Sequence, residues 1–485
     1  MTQTDQRLFA RGRSDRGIVP PPGGTRTAST TVVSPALRGA ALALGFLLLG
    51  TAPSTAETLQ QALASAYRAN PRLDAARATL RATDEEVPRA LSGYRPVITG
   101  TADTTYQNTR TKPATAGNGD SNPRGYAVGL TQNIFNGFRT ANAVNGAEAT
   151  VRAGRETLRS VEQSVLLEAV TAYMDVVRDQ AIVKLQENNV NVLSRELKAT
   201  QDRFSVGEVT RTDVAQAQAR RAGAVSALDL ARANLKTSRA TYERVVGHPP
   251  SNLIDPPPPE KMLPKSVNHA VEISSRESPA VVNALYLEQA ARYSVDTITG
   301  ELLPSVTLEA DYGRRFDPST GIEDSQSTTV TGRVTVPFYS GGEVEARVRQ
   351  AKHTHVSRLQ QIEQARTEVR AQVVAAWSQL GAARAQVESD RTQVDANQTA
   401  LTGVREEERV GQRTLLDVLN AEQELLNSQV SLVGDRRNLV VAAYTVLSSV
   451  GRLTMNELQV TPEVYDADAH YEDVRRKWFG IRITH

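Results

Sequence analysis

A short stretch of the chain occurs twice, and the two copies lie 204 positions apart. Each copy contains a glycine, Gly207 or Gly411, followed by a segment with Thr that ends at Asp213 or Asp417. A glycine that adopts positive φ ends one helix, and Thr or Asp caps the next. Each copy is therefore predicted to form the tip of a helical hairpin. Prolines and glycines elsewhere recur with nearly the same spacing, so the chain is interpreted as two halves of about 200 residues.

Within each half the hydrophobic period changes from helical to two. Apolar and polar residues alternate in residues 305–312 and 329–338, and more weakly in residues 98–104 and 126–130. Each half is predicted to hold one β-hairpin with strands of about ten residues, the length that a tilted transmembrane strand requires. Aromatic residues gather at the strand ends, as in an interfacial belt. Two soluble hairpins folded on the helices are the alternative.

A very long helix is predicted after each hairpin. No proline occurs between Phe138 and Phe204 or between Gly342 and Arg409. Roughly 66 residues would form a helix of about 100 Å at 1.5 Å per residue. Apolar residues recur at every seventh position, a period that favours left-handed packing against a partner helix. The partner is the Ala-rich helix that returns from each tip.

The composition is typical of long helices rather than of a thick globular core, because aromatic residues make up only 5 % of the chain. The chain has no cysteine, which excludes disulfides, thiolate metal sites, a cysteine nucleophile and a lipidated cysteine. Residues 1–56 are predicted to be a signal peptide with a long n-region, since six arginines precede a short apolar run. Without them the formal charge of +2 becomes −2, so no nucleic-acid partner is expected.

The first repeat is predicted to span residues 57–255 and the second residues 256–455. After an initial helix, the first repeat has a β-hairpin, a long helix and a return helix at about 96–135, 138–205 and 211–247. The corresponding elements of the second repeat lie at about 304–339, 342–409 and 414–450. Residues 456–485 have no counterpart in the first half and are predicted to be a tail of uncertain order.

Four strands cannot close a barrel, for which about eight are needed, and open strand edges are not tolerated in lipid. Two chains would supply eight strands and three would supply twelve. The chain resembles the TolC-type outer-membrane efflux and secretion proteins over about residues 57–455, most specifically in residues 410–419 and in the paired stretch 207–214. The resemblance implies a mostly α-helical fold with a small β part. Duplicated coiled-coil hairpins would form an α-barrel, and four transmembrane strands per chain would join a trimeric 12-stranded β-barrel.

The resemblance also implies a function. The homotrimer would be a channel-tunnel in the outer membrane of a Gram-negative bacterium, extending into the periplasm. It would give passive exit to substrates delivered by an inner-membrane ABC or RND-type pump with its periplasmic adaptor, in type I secretion or drug efflux. Because the chain lacks a cysteine for lipidation, it resembles type I secretion channels more than lipidated multidrug channels. The alternative is a soluble periplasmic coiled-coil adaptor or structural protein.

The resemblance to this family also implies a gate at the tips. Asp417 would face the channel axis and form a ring of three carboxylates, which repel each other and attract cations. Arg413 would reach Thr212 and Asp213 in the first-half hairpin and latch the tips inward. The alternative for both aspartates is helix capping.

Two positions depart from the family pattern. Asn420 stands where a second aspartate is common, and Glu408 stands where a tyrosine is usual. One acidic ring is therefore expected instead of two, with fewer contacts to hold the closed state. The adaptor is expected to dock on the helix tips, at Val206, Gly207, Val410 and Gly411.

The sequence contains no recognisable nucleophile–base pair or phosphate-binding loop, so no enzyme activity and no cofactor is expected. Only His353 and His355 lie close together among the histidines, and a spacing of two places them on different helix faces. No metal site is expected.

Overall fold

The computed structural model describes residues 56–113, 118–319, 321–460 and 464–483, and all of these belong to one structural unit. The predicted signal peptide, residues 1–56, lies outside the described residues except for Ala56. The elements of the first half are, in order, α1 (Leu59–Ala69), α2 (Pro71–Asp84), α3 (Glu86–Leu91), β1 (Val97–Thr104), β2 (Gln107–Thr109), β3 (Gly119–Ser121), β4 (Arg124–Asn136), α4 (Arg139–Ser205) and α5 (Arg211–Val246).

The second half has a similar but shorter order. Its elements are α6 (Val267–Glu277), α7 (Pro279–Thr299), β5 (Ser305–Ser319), β6 (Ile322–Thr335), α8 (Glu343–Arg409) and α9 (Leu415–Ser449), followed by α10 (Met455–Leu458) and α11 (Ala469–Arg475). The two long helices, α4 and α8, have 67 residues each. The predicted fold class is confirmed: the chain is mostly α-helical, with a small β part between the helices.

Local sequence explains where the helices begin. The side chain of Thr58 accepts a hydrogen bond from the Gln61 N–H, and the Gln61 side chain accepts one from the Thr58 N–H, which together cap α1. Asn70 caps α2 by accepting from the Arg72 N–H at 3.0 Å. Pro71 and Pro279 occupy the first positions of α2 and α7, where a helix tolerates proline because the N–H would have no partner.

The long strands form one antiparallel sheet in the order β1-β4-β5-β6. The hairpin of each half joins the other through β4 and β5, where Leu130 lies opposite Ala310. Almost all side chains of β1 and β6 are exposed. Within the part of the chain that the structure describes, no further strand pairs with the outer edge of β1 or β6. A single chain therefore presents an open four-stranded sheet.

The sheet differs from the sequence prediction at its turns. In the first half, a small ribbon of β2 and β3 lies between the two long strands. In the second half, the strands extend beyond the alternating residues 305–312 and 329–338 towards the turn, because β5 continues to Ser319 and β6 starts at Ile322. A cross-strand ion pair of 2.7 Å between Arg314 and Asp324 stabilises this extension. Phe338, predicted on the strand, lies beyond its end at Thr335.

Each hairpin passes into its long helix through two consecutive residues with left-handed backbone conformation. Gly341 and Gly342 supply them in the second half, and Gly137 and Phe138 in the first. A Cβ on Gly137 would lie 2.1 Å from the Gly300 carbonyl oxygen, so only glycine fits there. Phe138, with φ of 62°, packs edge-on against the Phe135 ring with ring centroids 5.2 Å apart.

The main hydrophobic core lies where α1, α4, α5 and α9 meet. Tyr173 belongs to this core, and its hydroxyl lies 2.7 Å from the Ile254 carbonyl oxygen and 2.9 Å from the Glu57 carbonyl oxygen. It also accepts a hydrogen bond from the Ile254 N–H at 3.0 Å. Burial raises the pKa of Tyr173 to about 12, so the hydroxyl remains a donor. This contact fastens the chain just before the proline run that links the halves.

Between this core and the tips, the long helices pack on the return helices through narrow faces of small and branched residues. On this part of α5 the buried positions are Ala217, Ala224, Leu228 and Ala231. Those of α8 include Val373, Leu380 and Val387, which follow the heptad spacing. Much of the remaining surface of α5 and α8 is exposed in the single chain.

The C-terminal segment, predicted to be of uncertain order, packs against the first half. Val474 in α11 is buried. His470 Nδ1 lies 3.0 Å from Asp84 Oδ2, and the Tyr465 N–H donates to the Tyr67 hydroxyl at 3.1 Å. Because these contacts join positions almost 400 residues apart, no local sequence pattern indicated them.

Candidate functional site

The two tips have nearly the same backbone. Gly207 and Gly411 have φ of 85° and 77°, and each donates its N–H to the carbonyl oxygen three residues earlier, at 3.0 and 2.9 Å. The next N–H, of Glu208 or Gln412, donates to a carbonyl five residues earlier. This pattern is a Schellman motif, which ends the long helix and satisfies its last carbonyls. Glycine is required because a side chain would strain the left-handed backbone.

Both return helices begin with the same cap. In the first tip, the Asp213 carboxylate accepts hydrogen bonds from the Thr210 N–H and hydroxyl at 2.8 and 2.7 Å. In the second, the Asp417 carboxylate accepts from the Thr414 N–H and hydroxyl at 3.0 and 2.8 Å. The bonds from Thr414 hold the pKa of Asp417 below its usual range, so the carboxylate is ionised at neutral pH. Both aspartates thus have a capping role within the chain.

Arg413 does not make its predicted contact within this chain. Its Nε lies 2.9 Å from Glu407 Oε2, on the preceding helix end of the same tip. Among the described residues, no ion pair joins Arg413 to Asp213, and Thr212 is exposed. The contact with Glu407 prevails because both residues flank one short turn, so little side-chain freedom is lost on pairing.

Two other contacts near the tips join the first helical hairpin, formed by α4 and α5, to the second, formed by α8 and α9. Arg203 Nη1 lies 2.7 Å from Glu408 Oε1, which connects the ends of α4 and α8. Arg220 Nη2 donates to Asn420 Oδ1 at 2.7 Å, which connects α5 and α9. The two positions that depart from the family pattern are therefore both paired across the hairpins. Sequence reasoning missed Arg203 and Arg220; the one available signal was the opposite charge of Arg203 and Glu408 at corresponding helix ends.

Charged groups are partly buried one to three turns from the tips. Arg405 pairs with the buried Glu422 at 2.5 Å across the second hairpin. The neighbouring Glu196 of α4 has its pKa raised by burial first, and then by the negative charges of Glu422 and Glu408. This acidic cluster joins α4 of the first hairpin to the second hairpin. The hairpins therefore meet through polar contacts as well as through the small apolar cluster of Leu193, Ala224 and Leu419.

The tip surfaces themselves are open. Val206 and Val410, next to the two glycines, are both strongly exposed. An added Cβ on either glycine would meet nothing within 4 Å. Among residues 56–113, 118–319, 321–460 and 464–483, no group of three or more His, Asp or Glu side chains is placed to hold a metal ion. The tips present charged and apolar side chains at the helix ends.

Comparison with known proteins identifies the family. The family described as outer membrane efflux protein matches residues 58–248 and 272–452, which covers both repeats. The chain belongs to this family. It is 40 % identical over 447 residues to the outer membrane efflux protein BepC of Brucella suis, covering 91 % of this chain and 96 % of that relative. It is 26 % identical over 419 residues to the outer membrane protein TolC of Escherichia coli, covering 84 % of each chain.

The solved structures agree on the fold. The Campylobacter jejuni CmeC outer membrane channel matches with a TM-score of 0.74 at 15 % identity, covering 86 % of this chain and 89 % of that one. The chain therefore has the same fold as the CmeC channel, with α-helices and a smaller β part. None of the helices in the described residues combines the length and the apolar character that a membrane-spanning helix requires.

Family membership decides between the two functions that the sequence left open. This outer membrane efflux protein is a channel component located in the outer membrane of Gram-negative bacteria and extending into the periplasm. The channel prediction is confirmed, and the soluble-adaptor alternative is wrong. The family is one of transport channels.

Proposed function

We propose that three copies of the chain join their sheets, through β1 of one copy and β6 of the next, into a 12-stranded barrel. The observation that carries this proposal is the open four-stranded sheet with unpaired outer edges at β1 and β6. Lipid offers no hydrogen-bond partner for such edges, and four strands are too few to close alone. The helices of three chains would continue the barrel as a tunnel, with the six tips at its far end in the periplasm.

The tips act as the gate of this tunnel. Asp417 of each copy faces the axis, and the three carboxylates form a single acidic ring, since Asn420 does not add a second one. The hydrogen bonds from Thr414 lower the pKa of each Asp417, which opposes the rise in pKa that three neighbouring carboxylates cause in one another. Opening separates Arg413 from a neighbouring carboxylate, such as Asp213 beside Thr212 on the adjoining hairpin, in the assembled trimer.

Contacts between the hairpins of one chain hold the closed state. The ion pair of Arg203 with Glu408 and the hydrogen bond of Arg220 with Asn420 both cross from the first hairpin to the second. If the second hairpin swings outward on opening, both contacts break. We propose that these two contacts hold the tips closed in place of the tyrosine and the second aspartate of the family pattern.

Partner proteins dock at the same end. A periplasmic adaptor contacts the exposed surface around the tip glycines, formed by Val206, Gly207, Val410 and Gly411. An inner-membrane ABC or RND-type pump delivers the substrate through that adaptor, for protein secretion or drug efflux. The chain itself provides a passive path and has no catalytic role.

Conductance in a planar lipid bilayer tests both the pore and the gate. We expect the purified wild-type protein to show small, cation-selective conductance. Asp417→Asn keeps the oxygen that accepts the cap from Thr414 and removes only the charge, so it should reduce cation selectivity. Asp213→Asn is the matched control, because Asp213 forms the same cap in the other hairpin. It keeps the cap of the first tip and removes no carboxylate from the ring, so it should leave the cation selectivity of the open channel unchanged. The loss of its charge beside Arg413 should raise only the open probability.

The Arg413→Ala variant, alone and combined with Asp417→Ala, tests how the gate opens in the same bilayer measurement. We expect larger and longer openings from both variants than from the wild type. If the wild type conducts and these variants behave identically to it, the pore stands and the gate assignment is wrong. If neither the wild type nor these variants conduct after inserting into bilayers, the proposed closed barrel is wrong.

A further inference from the structure

The C-terminal segment ends in an exposed loop that the channel function does not use. In residues 477–482, Lys477 Nζ donates to the Arg482 carbonyl oxygen at 2.7 Å, which closes the loop. Gly480, with φ of 109°, forms its turn. The loop presents Trp478, Phe479 and Ile481 at 66 %, 91 % and 101 % of full exposure. We call residues 477–482 the C-terminal loop.

The C-terminal loop has a defined position, because contacts upstream of it and at its first two residues fix it. Upstream, Val474 is buried, and Arg155 pairs with Asp468 at 2.5 Å. At the loop itself, Arg95 donates from Nη1 to the Lys477 carbonyl oxygen at 2.9 Å. The Arg95 guanidinium also lies 4.8 Å from the centre of the Trp478 ring. The loop is therefore attached directly to the segment that enters the sheet.

That attachment places the C-terminal loop at the helix-side end of the sheet. Arg95 is two residues before β1, which starts at Val97. The Gln132 amide of β4 donates to the Tyr94 carbonyl oxygen at 3.0 Å, so the segment before β1 lies level with the end of β4. In an outer-membrane barrel whose helices extend into the periplasm, this level is the periplasmic surface of the bilayer.

Other exposed aromatic residues lie at the same end of the sheet. They follow or precede the strands at that end: Tyr94, Phe138, Phe338 and Tyr339. Aromatic side chains collect at this depth because the ring is apolar and the polar edge meets headgroups. Trp478 and Phe479 continue this belt with residues from the other end of the chain.

The charges of the C-terminal loop and its flanks match a phospholipid surface. Arg476 and Arg482 are exposed and Lys477 is partly exposed, whereas Arg475 pairs with Glu148 at 3.2 Å. Cations next to exposed aromatic and aliphatic side chains are typical of segments that lie in the headgroup region, where the cations attract anionic lipid. Large apolar groups that are this exposed in water are unfavourable, so a covering surface is needed.

We propose that the C-terminal loop is a membrane anchor, which inserts Trp478, Phe479 and Ile481 into the periplasmic leaflet of the outer membrane. The chain has no cysteine for lipidation, and this loop supplies a second, reversible attachment beside the strands. The occupant is the phospholipid surface. Through Arg95, the attachment also connects the lipid surface to the start of β1.

The two tryptophans of the chain provide a direct test. Trp377→Phe leaves Trp478 as the single tryptophan in the full-length protein. We would reconstitute it into vesicles of phosphatidylethanolamine and phosphatidylglycerol whose acyl chains carry bromine near the carbonyl group. We expect about a two-fold loss of Trp478 emission relative to unbrominated vesicles, because an interfacial tryptophan lies at the depth of the quencher. Aqueous acrylamide should quench Trp478 in vesicles less than it quenches free tryptophan.

The matched control is Trp478→Phe, which leaves Trp377. Trp377 lies 34 residues into α8 from Glu343, about 50 Å along the helix at 1.5 Å per residue, and packs against buried apolar residues. Its emission should not respond to brominated lipid. Replacing the exposed cations by Arg476→Gln with Arg482→Gln should reduce the quenching of Trp478 in anionic vesicles.

Two results would overturn the anchor. If acrylamide quenches Trp478 in vesicles as strongly as it quenches a free tryptophan, while brominated lipid has no effect, the loop lies in water. If neither agent quenches Trp478, a neighbouring protein subunit covers the loop instead of lipid. Both results are readable from a folded protein, because Trp377 in the control reports whether the helices are intact.

Discussion

The ion pair between Arg203 and Glu408 gives the sharpest test of how the tips are held. The side chains are 44 % and 19 % exposed, and their charged atoms are 2.7 Å apart. A pair with this exposure contributes about 0.5–1 kcal/mol, because water screens part of the attraction. Three copies that break together in a trimer would contribute about 1.5–3 kcal/mol, and 1.4 kcal/mol is a factor of ten in an equilibrium constant. Losing the pair should thus raise the ratio of open to closed channels roughly 10- to 100-fold.

The perturbation is a double-mutant cycle with Arg203→Ala, Glu408→Ala and both together, read as open probability in planar bilayers. The two single variants should open the channel to a similar extent, and the double variant should add little, because the pair is already broken. The charge exchange Arg203→Glu with Glu408→Arg should close the channel again. Arg232→Ala is the control, since Arg232 pairs with Glu187 at 2.8 Å within the first hairpin and should not affect opening.

The reasoning fails under either of two outcomes. Additive effects of the two single variants would mean that Arg203 and Glu408 act independently, without a pair in the closed channel. If the charge-exchange variant opens as often as the double Ala variant, the exchanged pair does not form, and another contact holds the tips.

Three stability measurements follow from the buried groups outside the sheet. Burial first, and the nearby Asp435 second, raise the pKa of Asp390, so the folded chain binds this proton more tightly than the unfolded chain. The stability of the fold should therefore fall as the pH rises through the raised pKa. Asp390→Asn should raise the midpoint of thermal unfolding at pH 7 and make that midpoint less dependent on pH. Tyr173→Phe leaves the Ile254 N–H and carbonyl without this partner and should cost about 1–3 kcal/mol in the free energy of unfolding by denaturant. Gly451→Ala places a Cβ 2.6 Å from the carbonyl oxygen of the last residue of α6, at φ of 88°, and should lower the midpoint measured by circular dichroism. An unchanged midpoint in any of the three would contradict the contact on which it rests.

The sequence predicted features that depend on neighbouring residues. The tip turns follow from Gly207 and Gly411, and the caps from Asp213 and Asp417, because the partners are three to five residues apart. The change of hydrophobic period placed strands between helices, since side-chain alternation is a property of one strand. The helix-capping interpretation of the aspartates was the alternative, and it describes their hydrogen bonds within the chain.

Contacts between distant segments were harder to predict. The latch from Arg413 was placed by family position, but within the chain Arg413 pairs with the nearer Glu407. Arg203 and Arg220 were missed, because their partners depend on how two hairpins rotate against each other. Charged residues are common on exposed helix faces, so the sequence offers many pairs of opposite charge and no means of choosing one.

By itself, the sequence determined the duplication, the alternation of long helices with short strands, and the positions of the two tips. These properties arise from local backbone preferences and from hydrophobic periods that each element carries alone. Only the tertiary structure decided that β4 pairs with β5 across the two halves, that Glu408 meets Arg203, and that the C-terminal segment reaches Arg95. Each of these depends on packing between elements far apart in the chain, where position and rotation in space, and not spacing in sequence, select the partner.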